Sequence, residues 1–177
     1  MSQSTKIVDD VQTEHDQISA DFDELSKLSR DIEAEAIRDT GSAQETLVPR
    51  ALDGQYQSLR TWKARLDALA ESLREHFKRE ETVLMDVFER SRNDELIHGL
   101  EELLKEHQSL LDEIDGCRRM AEDLVSGGSR IVVWEGSGWG MKHNIERLQQ
   151  HVAEHTEQEH DLFERLKSHL SSREQSP

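Results

Sequence analysis

The chain has one cysteine, two prolines and nine glycines among 177 residues, and only 5% of it is aromatic. One cysteine excludes an internal disulfide. Cys117 falls on an apolar helical stripe, so a buried filler in a reducing cytoplasm is expected. No apolar run approaches the roughly 20 residues needed to span a bilayer. The opening MSQSTKIVDD is too polar for a secretory leader. Positive charge is scarce: 22 Lys and Arg against 38 Asp and Glu leave a formal charge of −16. An acidic surface repels phosphate backbones and anionic lipid, so no nucleic-acid and no membrane partner is expected. Its plain consequence is a solvated, self-repelling surface that aids solubility.

What the chain does have is helical periodicity over most of its length, which makes the fold class all-α. Helices are expected over about 7–36, 52–89, 94–125 and 136–170, within one domain covering 1–177. A polar connection through Thr40, Gly41 and Ser42 closes near Pro49. Ser91 to Asp94 form a tight turn whose Asn or Asp can cap the next helix. Ser126 to Ser129 form a loop. Ile131 to Gly140 reads either as loop or as a glycine-weakened helix start, and helix four is secure from about Met141.

Each helix carries an inward stripe at steps of three and four. The first runs Val8, Val11, His15, Ile18, Phe22, Leu25, Ser29, Ile32. The second runs Leu59, Trp62, Leu66, Leu69, Leu73, His76, Glu80, Val83, Val87. The third runs Leu96, Leu100, Leu103, His107, Leu110, Ile114, Cys117, Ala121, Leu124. The fourth runs Ile145, Leu148, Val152, His155, Glu159, Leu162, Leu166. Every stripe holds one histidine, and the second and fourth add a glutamate one turn on, where residues i and i+4 share a face. Burying an imidazole or a carboxylate without a partner is expensive. Four seams facing one another would form a polar layer of four His and two Glu in an apolar core, and the simplest partner for such a layer is a metal ion.

Loop positions test the idea. The midpoint of His76 and His107 falls near Ser91, that of His107 and His155 at Ile131, and that of His15 and His76 between Glu45 and Thr46. All lie in or beside expected loops, so the four histidines can share one level of an up-down-up-down four-helix bundle. Helices two and four are then parallel and diagonal, and Glu80 and Glu159 can each bridge two metals. Imidazole with carboxylate suits iron and zinc, and the lack of thiolate argues against copper(I) and iron–sulfur clusters. Two His and two carboxylate oxygens per metal, plus an oxo or hydroxo bridge, leave a position on each ion for O2, NO or peroxide. His151 lies one turn before His155 but beside the seam, as an outer support, an extra ligand or a surface residue. Glu14 and Glu81 adjoin ligands and read either as fillers of an open position or as solvated charges. Trp134 and Trp139 can cap one end of the bundle.

HFKREETVL and HTEQEHDLF resemble the two His-x-x-x-Glu motifs of the hemerythrin-like HHE cation-binding family. EHDQI around His15 and KEHQSLL around His107 resemble its other two metal-bearing helices. The resemblance covers nearly the whole chain. It implies a hemerythrin-like bundle in which His15, His76, Glu80, His107, His155 and Glu159 bind two iron ions as a carboxylate-bridged Fe–O–Fe centre, with zinc the lesser candidate. The oxygen carriers of the family use His-x-x-x-His on helix three and His-x-x-x-x-Asp on helix four. Here Leu111 follows His107 by four residues and Glu159 replaces the aspartate, so the set is one histidine short. The pattern is more similar to bacterial proteins implicated in repairing damaged iron–sulfur centres and to the iron-responsive hemerythrin domain of a ubiquitin-ligase subunit, though only the bundle is shared.

Three functions follow: a di-iron protein that binds or senses a diatomic ligand, a di-iron redox enzyme handling peroxide or NO, or a structural zinc or metal-free bundle. The redox enzyme needs a proton donor near the open positions, and His151 is the obvious one. The incomplete histidine set and the apolar surroundings favour a binding protein over an enzyme. Ferritin-like centres need Glu-x-x-His on the inward face, where this chain has His-x-x-x-Glu. The zinc-protease motif His-Glu-x-x-His is absent. Oligomeric state is left open.

Overall fold

Apolar stripes repeating at 3.6 residues are buried only when helices lie side by side, and the chain folds accordingly. The computed structural model describes residues 3–39, 53–125 and 131–174, with side chains described at 3–30, 57–123, 125, 140 and 142–173. The first bundle helix is α1, Gln3–Asp39. The second is α2, Asp53–Arg79, continued by a π turn, Glu80–Leu84, and by α3, Met85–Ser91. The third is α4, Asp94–Leu104, then α5, His107–Val125. The fourth is α6, Ile131–Glu174. Among the described residues every element is helical, and no helix is long and apolar enough to cross a membrane. The expected connections at 40–52 and 126–130 lie outside the described residues, as do the side chains of Ile32, Leu124, Trp134 and Trp139.

α1 packs against α2 and α6, and α5 packs against the same two helices. The helices therefore form a square with α2 and α6 on one diagonal. The stripes meet inside as two apolar clusters. One gathers Ile18, Phe22, Trp62, Leu66, Leu73, Ile114 and Leu148. The other gathers Val8, Val11, Leu84, Phe88, Leu100 and Phe163. Along every helix the predicted histidine stands where one cluster gives way to the other, as His15 does between Val11 and Ile18.

Trp62, wholly buried, donates its indole N–H to Ser29 Oγ at 2.7 Å, which explains the hydroxyl on an otherwise apolar stripe. Cys117 is buried, and burial pushes its thiol up to about 11, as suits an apolar filler. Asn93 caps α4 by accepting from the Leu96 N–H at 3.2 Å, while Arg92 ends α3 in the left-handed region at φ 56°. Gly99 lies where α4 meets α6, and a Cβ there would sit 3.0 Å from Leu162 Cδ1, so that side chain would have to shift.

Three local departures from the sequence reading have physical causes. Val83, expected on the inward stripe, is 43% exposed, and Leu84 is buried in its place. The Met85 N–H bonds back to Glu80 O, five residues away, so this turn is wider than an α turn and brings the fourth residue after Glu80 inward instead of the third. The third helix is not continuous. Lys105 and Glu106 donate to the carbonyls three residues back, tightening the chain just before His107. The fourth helix starts at Ile131, ahead of the expected 136, with the glycine-containing stretch taking the helical one of its two readings. A glycine costs a helix only about 1 kcal/mol relative to alanine, and each added residue contributes a hydrogen bond once a helix is anchored. Gly136, Gly138 and Gly140 therefore do not stop it.

Candidate metal centre

Between the two apolar clusters lies the polar layer. His15, His76, His107 and His155 are at most 8% exposed, and Glu80 and Glu159 are wholly buried. All six sequence-predicted residues are brought together there. Their ligand-type atoms form two groups, each with all members within 4.8 Å of one another: His15, His76, Glu80 and Glu159, then Glu80, His107, His155 and Glu159. Both glutamates belong to both groups. Their oxygens are divided: Glu80 turns Oε1 to His15 Nε2 (3.4 Å) and His76 Nε2 (3.1 Å), and Oε2 to His107 Nε2 (3.3 Å). Glu159 turns Oε2 to His15 Nε2 (3.2 Å) and Oε1 to His155 Nε2 (3.3 Å). His107 and His155 bring their Nε2 atoms to 3.2 Å.

Several of these approaches are close without being hydrogen bonds. Glu80 Oε2 and both Glu159 oxygens are buried with no hydrogen-bond partner among the described residues. Leaving one buried polar group unpaired costs about 1–3 kcal/mol, and more for a charge. Two buried carboxylates facing only imidazoles therefore need a cation. No Lys or Arg among the described residues pairs with either glutamate. Cations held by the nitrogen and oxygen donors of these groups would satisfy the inward atoms.

Protons partly fill that need in the metal-free chain. Burial would depress His15, but the Glu159 and Glu80 carboxylates outweigh it and lift its pKa to about 9. His155 is raised in the same way, with Glu159 overcoming burial. Burial would raise Glu80, yet His107, His15 and His76 beside it hold its carboxyl well below the usual range.

Around the layer, carboxylates take the outer nitrogens. His76 Nδ1 meets Glu14 Oε2, His107 Nδ1 meets Glu81 Oε1, and His155 Nδ1 meets Glu106 Oε2, each at 3.0 Å. An Nδ1–H donating to a carboxylate leaves the Nε2 lone pair directed inward, the tautomer a metal requires. Glu14 and Glu81 are thus outer supports; they do not fill an open position. Glu106 was not singled out in the sequence, although a signal existed. Glu14, Glu106 and their counterparts Glu75 and Glu154 each stand directly before one of the four histidines. Aromatic rings close the remaining sides: Phe77 stacks on His107 at 4.0 Å and 12°, and Phe163 lies parallel to His15 at 6.2 Å. His151 joins neither group. Its Nδ1 meets Glu113 Oε1 at 3.0 Å on the outside of the bundle, with the histidine side chain 41% exposed.

Fold and site together define a four-helix bundle with a buried His/Glu cation-binding layer. The chain matches the hemerythrin HHE cation binding domain over residues 6–166, nearly its whole length and all six layer residues, and it belongs to that family. Comparison with curated proteins and with solved structures gives no significant match.

Proposed function

We propose that the chain is a non-haem di-iron protein that binds or senses a small diatomic ligand, O2 or NO. The observation that carries this reading is the division of Glu80 and Glu159 oxygens between two histidine pairs. His15 and His76 would hold one ion, His107 and His155 the other, and the two carboxylates would serve both. Four nitrogens and four oxygens form the donor set of iron or zinc, and iron is the one that supplies diatomic-ligand chemistry at an open coordination position. The chain's own residues prepare the layer. Glu14, Glu81 and Glu106 hold protons on the outer nitrogens, and Phe77 and Phe163 exclude water.

A binding role is favoured over a redox enzyme by the position of His151. A redox enzyme would need His151 to deliver protons to the layer, and its imidazole is engaged instead with Glu113. Metal analysis with a visible spectrum tests the proposal. Protein made under iron-replete conditions should carry two irons per chain and show ligand-to-metal absorption. One zinc, or no metal, would overturn it. His107→Ala should lower the iron content, and unchanged loading would remove helix three from the site. Exposure of the ferrous protein to O2 and to NO then separates a stable adduct, as expected of a binding protein, from immediate oxidation.

A further inference from the structure

The two halves of the layer have the same inward donors, two imidazoles and the same pair of carboxylates, so any difference in their hold on a cation must come from outside the first ring of atoms. There the halves differ in charge. Behind His107 stands Glu81 and behind His155 stands Glu106, about half exposed at 51% and 49%. Among the described residues neither carboxylate pairs with a Lys or Arg. Behind His76 stands Glu14, which also pairs with the Arg79 guanidinium. His15 has an aromatic neighbour instead, Phe163. The carboxylates facing the outer nitrogens are therefore two without a cationic partner around one pair, and one that shares a guanidinium around the other. A carboxylate on Nδ1–H makes the imidazole a more basic ligand. A guanidinium on that carboxylate withdraws the benefit and adds its own repulsion toward a cation.

Resting on the two-ion reading above, we infer that the positions are inequivalent: the His107/His155 position fills first, and Arg79 makes the His15/His76 position the weaker one. Arg79 is 45% exposed and lines a cleft of about 210 Å³ between α1 and α2 with Glu14, Gln17, Glu75 and His76. Its charge thus acts from the solvent side and is removable without disturbing the core. It is a positioning and affinity-setting residue, acting through Glu14 and His76.

The test is a titration of metal-free full-length chain with Co2+ under nitrogen, followed by visible absorption. Wild type should take two ions in two resolved steps. Glu81→Gln and Glu106→Gln should weaken the first step, on the order of tenfold for such outer partners, and leave the second in place. Arg79→Gln should tighten the second step by roughly three- to tenfold, more at low salt, since the guanidinium is partly screened. Coincident steps in wild type, tightening of the first step by Arg79→Gln, or weakening of only the second step by the glutamine variants would overturn the inference while leaving two ions bound. Uptake of one ion or none would overturn the two-ion reading itself.

Discussion

On one side of the polar layer, where Ile18, Trp62, Ile114 and Leu148 meet, the four helices run without interruption. On the other side, where Val8, Leu84, Leu100 and Phe163 meet, two of the four are broken. The breaks are not scattered. The π turn begins at Glu80 itself, and the tightened turn at Lys105 and Glu106 ends where His107 begins. The regular half needs only a repeating pattern of apolar residues, whereas the other half must also aim a carboxylate and an imidazole inward. Departures from α geometry cost hydrogen-bond quality, and such turns concentrate at functional sites. The layer is thus placed by local distortion of two helices against a regular base.

The largest expected effect breaks this division outright. Glu159→Ala should take iron from two per chain to near none, because that carboxylate serves both histidine pairs. Leu66→Ala, in the regular half and wholly buried, should lower stability by about 2–5 kcal/mol and keep both irons. Metal analysis beside urea midpoints measures the two together. A Glu159→Ala protein that retained two irons would show that the layer is not the metal site. A Leu66→Ala protein that lost them would show that the halves do not act separately.

How far the sequence could be read follows the same line. The stripes on α1, α5 and α6 and the level shared by the four histidines were legible, because period and loop midpoints are properties of straight helices. Val83 falls outside the inward face because the turn after Glu80 is wider than α, and no residue in EETVL announces such a turn. Glu106 stands before His107 as Glu14 stands before His15, but its partner His155 lies on another helix, and a helical stripe reports only the face a residue occupies. His151 lay beside the seam in the sequence, and only the packing of α5 on α6 supplied Glu113 as its partner.

An intermediate effect concerns the metal-free layer. The pKa of His15 is raised from 6.5 to about 9. A raised folded pKa contributes stability that is complete below the unfolded value, declines from about pH 6.5 to 9 and is absent above. Glu80 is lowered, so its contribution is present above the ordinary carboxyl range and lost on acidification. The apolar clusters on either side do not titrate. Urea midpoints of the metal-free chain should therefore fall between about pH 6.5 and 9. A cation in the layer would replace the proton and bind more tightly as pH rises, so a loaded chain should be spared. The gap between loaded and metal-free midpoints should widen over that interval. A gap that narrowed would mean that the layer is not protonated in the absence of metal.

The smallest effect is the sharpest probe of how the two halves differ. If α2 continued as an unbroken α-helix, Val83 would lie inward on the stripe and Val83→Ser would cost a buried side chain. With the π turn in place Val83 is 43% exposed, and surface substitutions of this kind fall within about 0.5 kcal/mol. Leu84→Ala, at a wholly buried neighbour, should instead cost about 2–5 kcal/mol. Opposite responses at these neighbours are expected from a turn that keeps Leu84 inward and carries Val83 outward. Equal losses at both, read from urea midpoints of the metal-free chain, would return the helix to regular geometry. Glu80 would then be placed by pattern alone, and only the break before His107 would still set the halves apart.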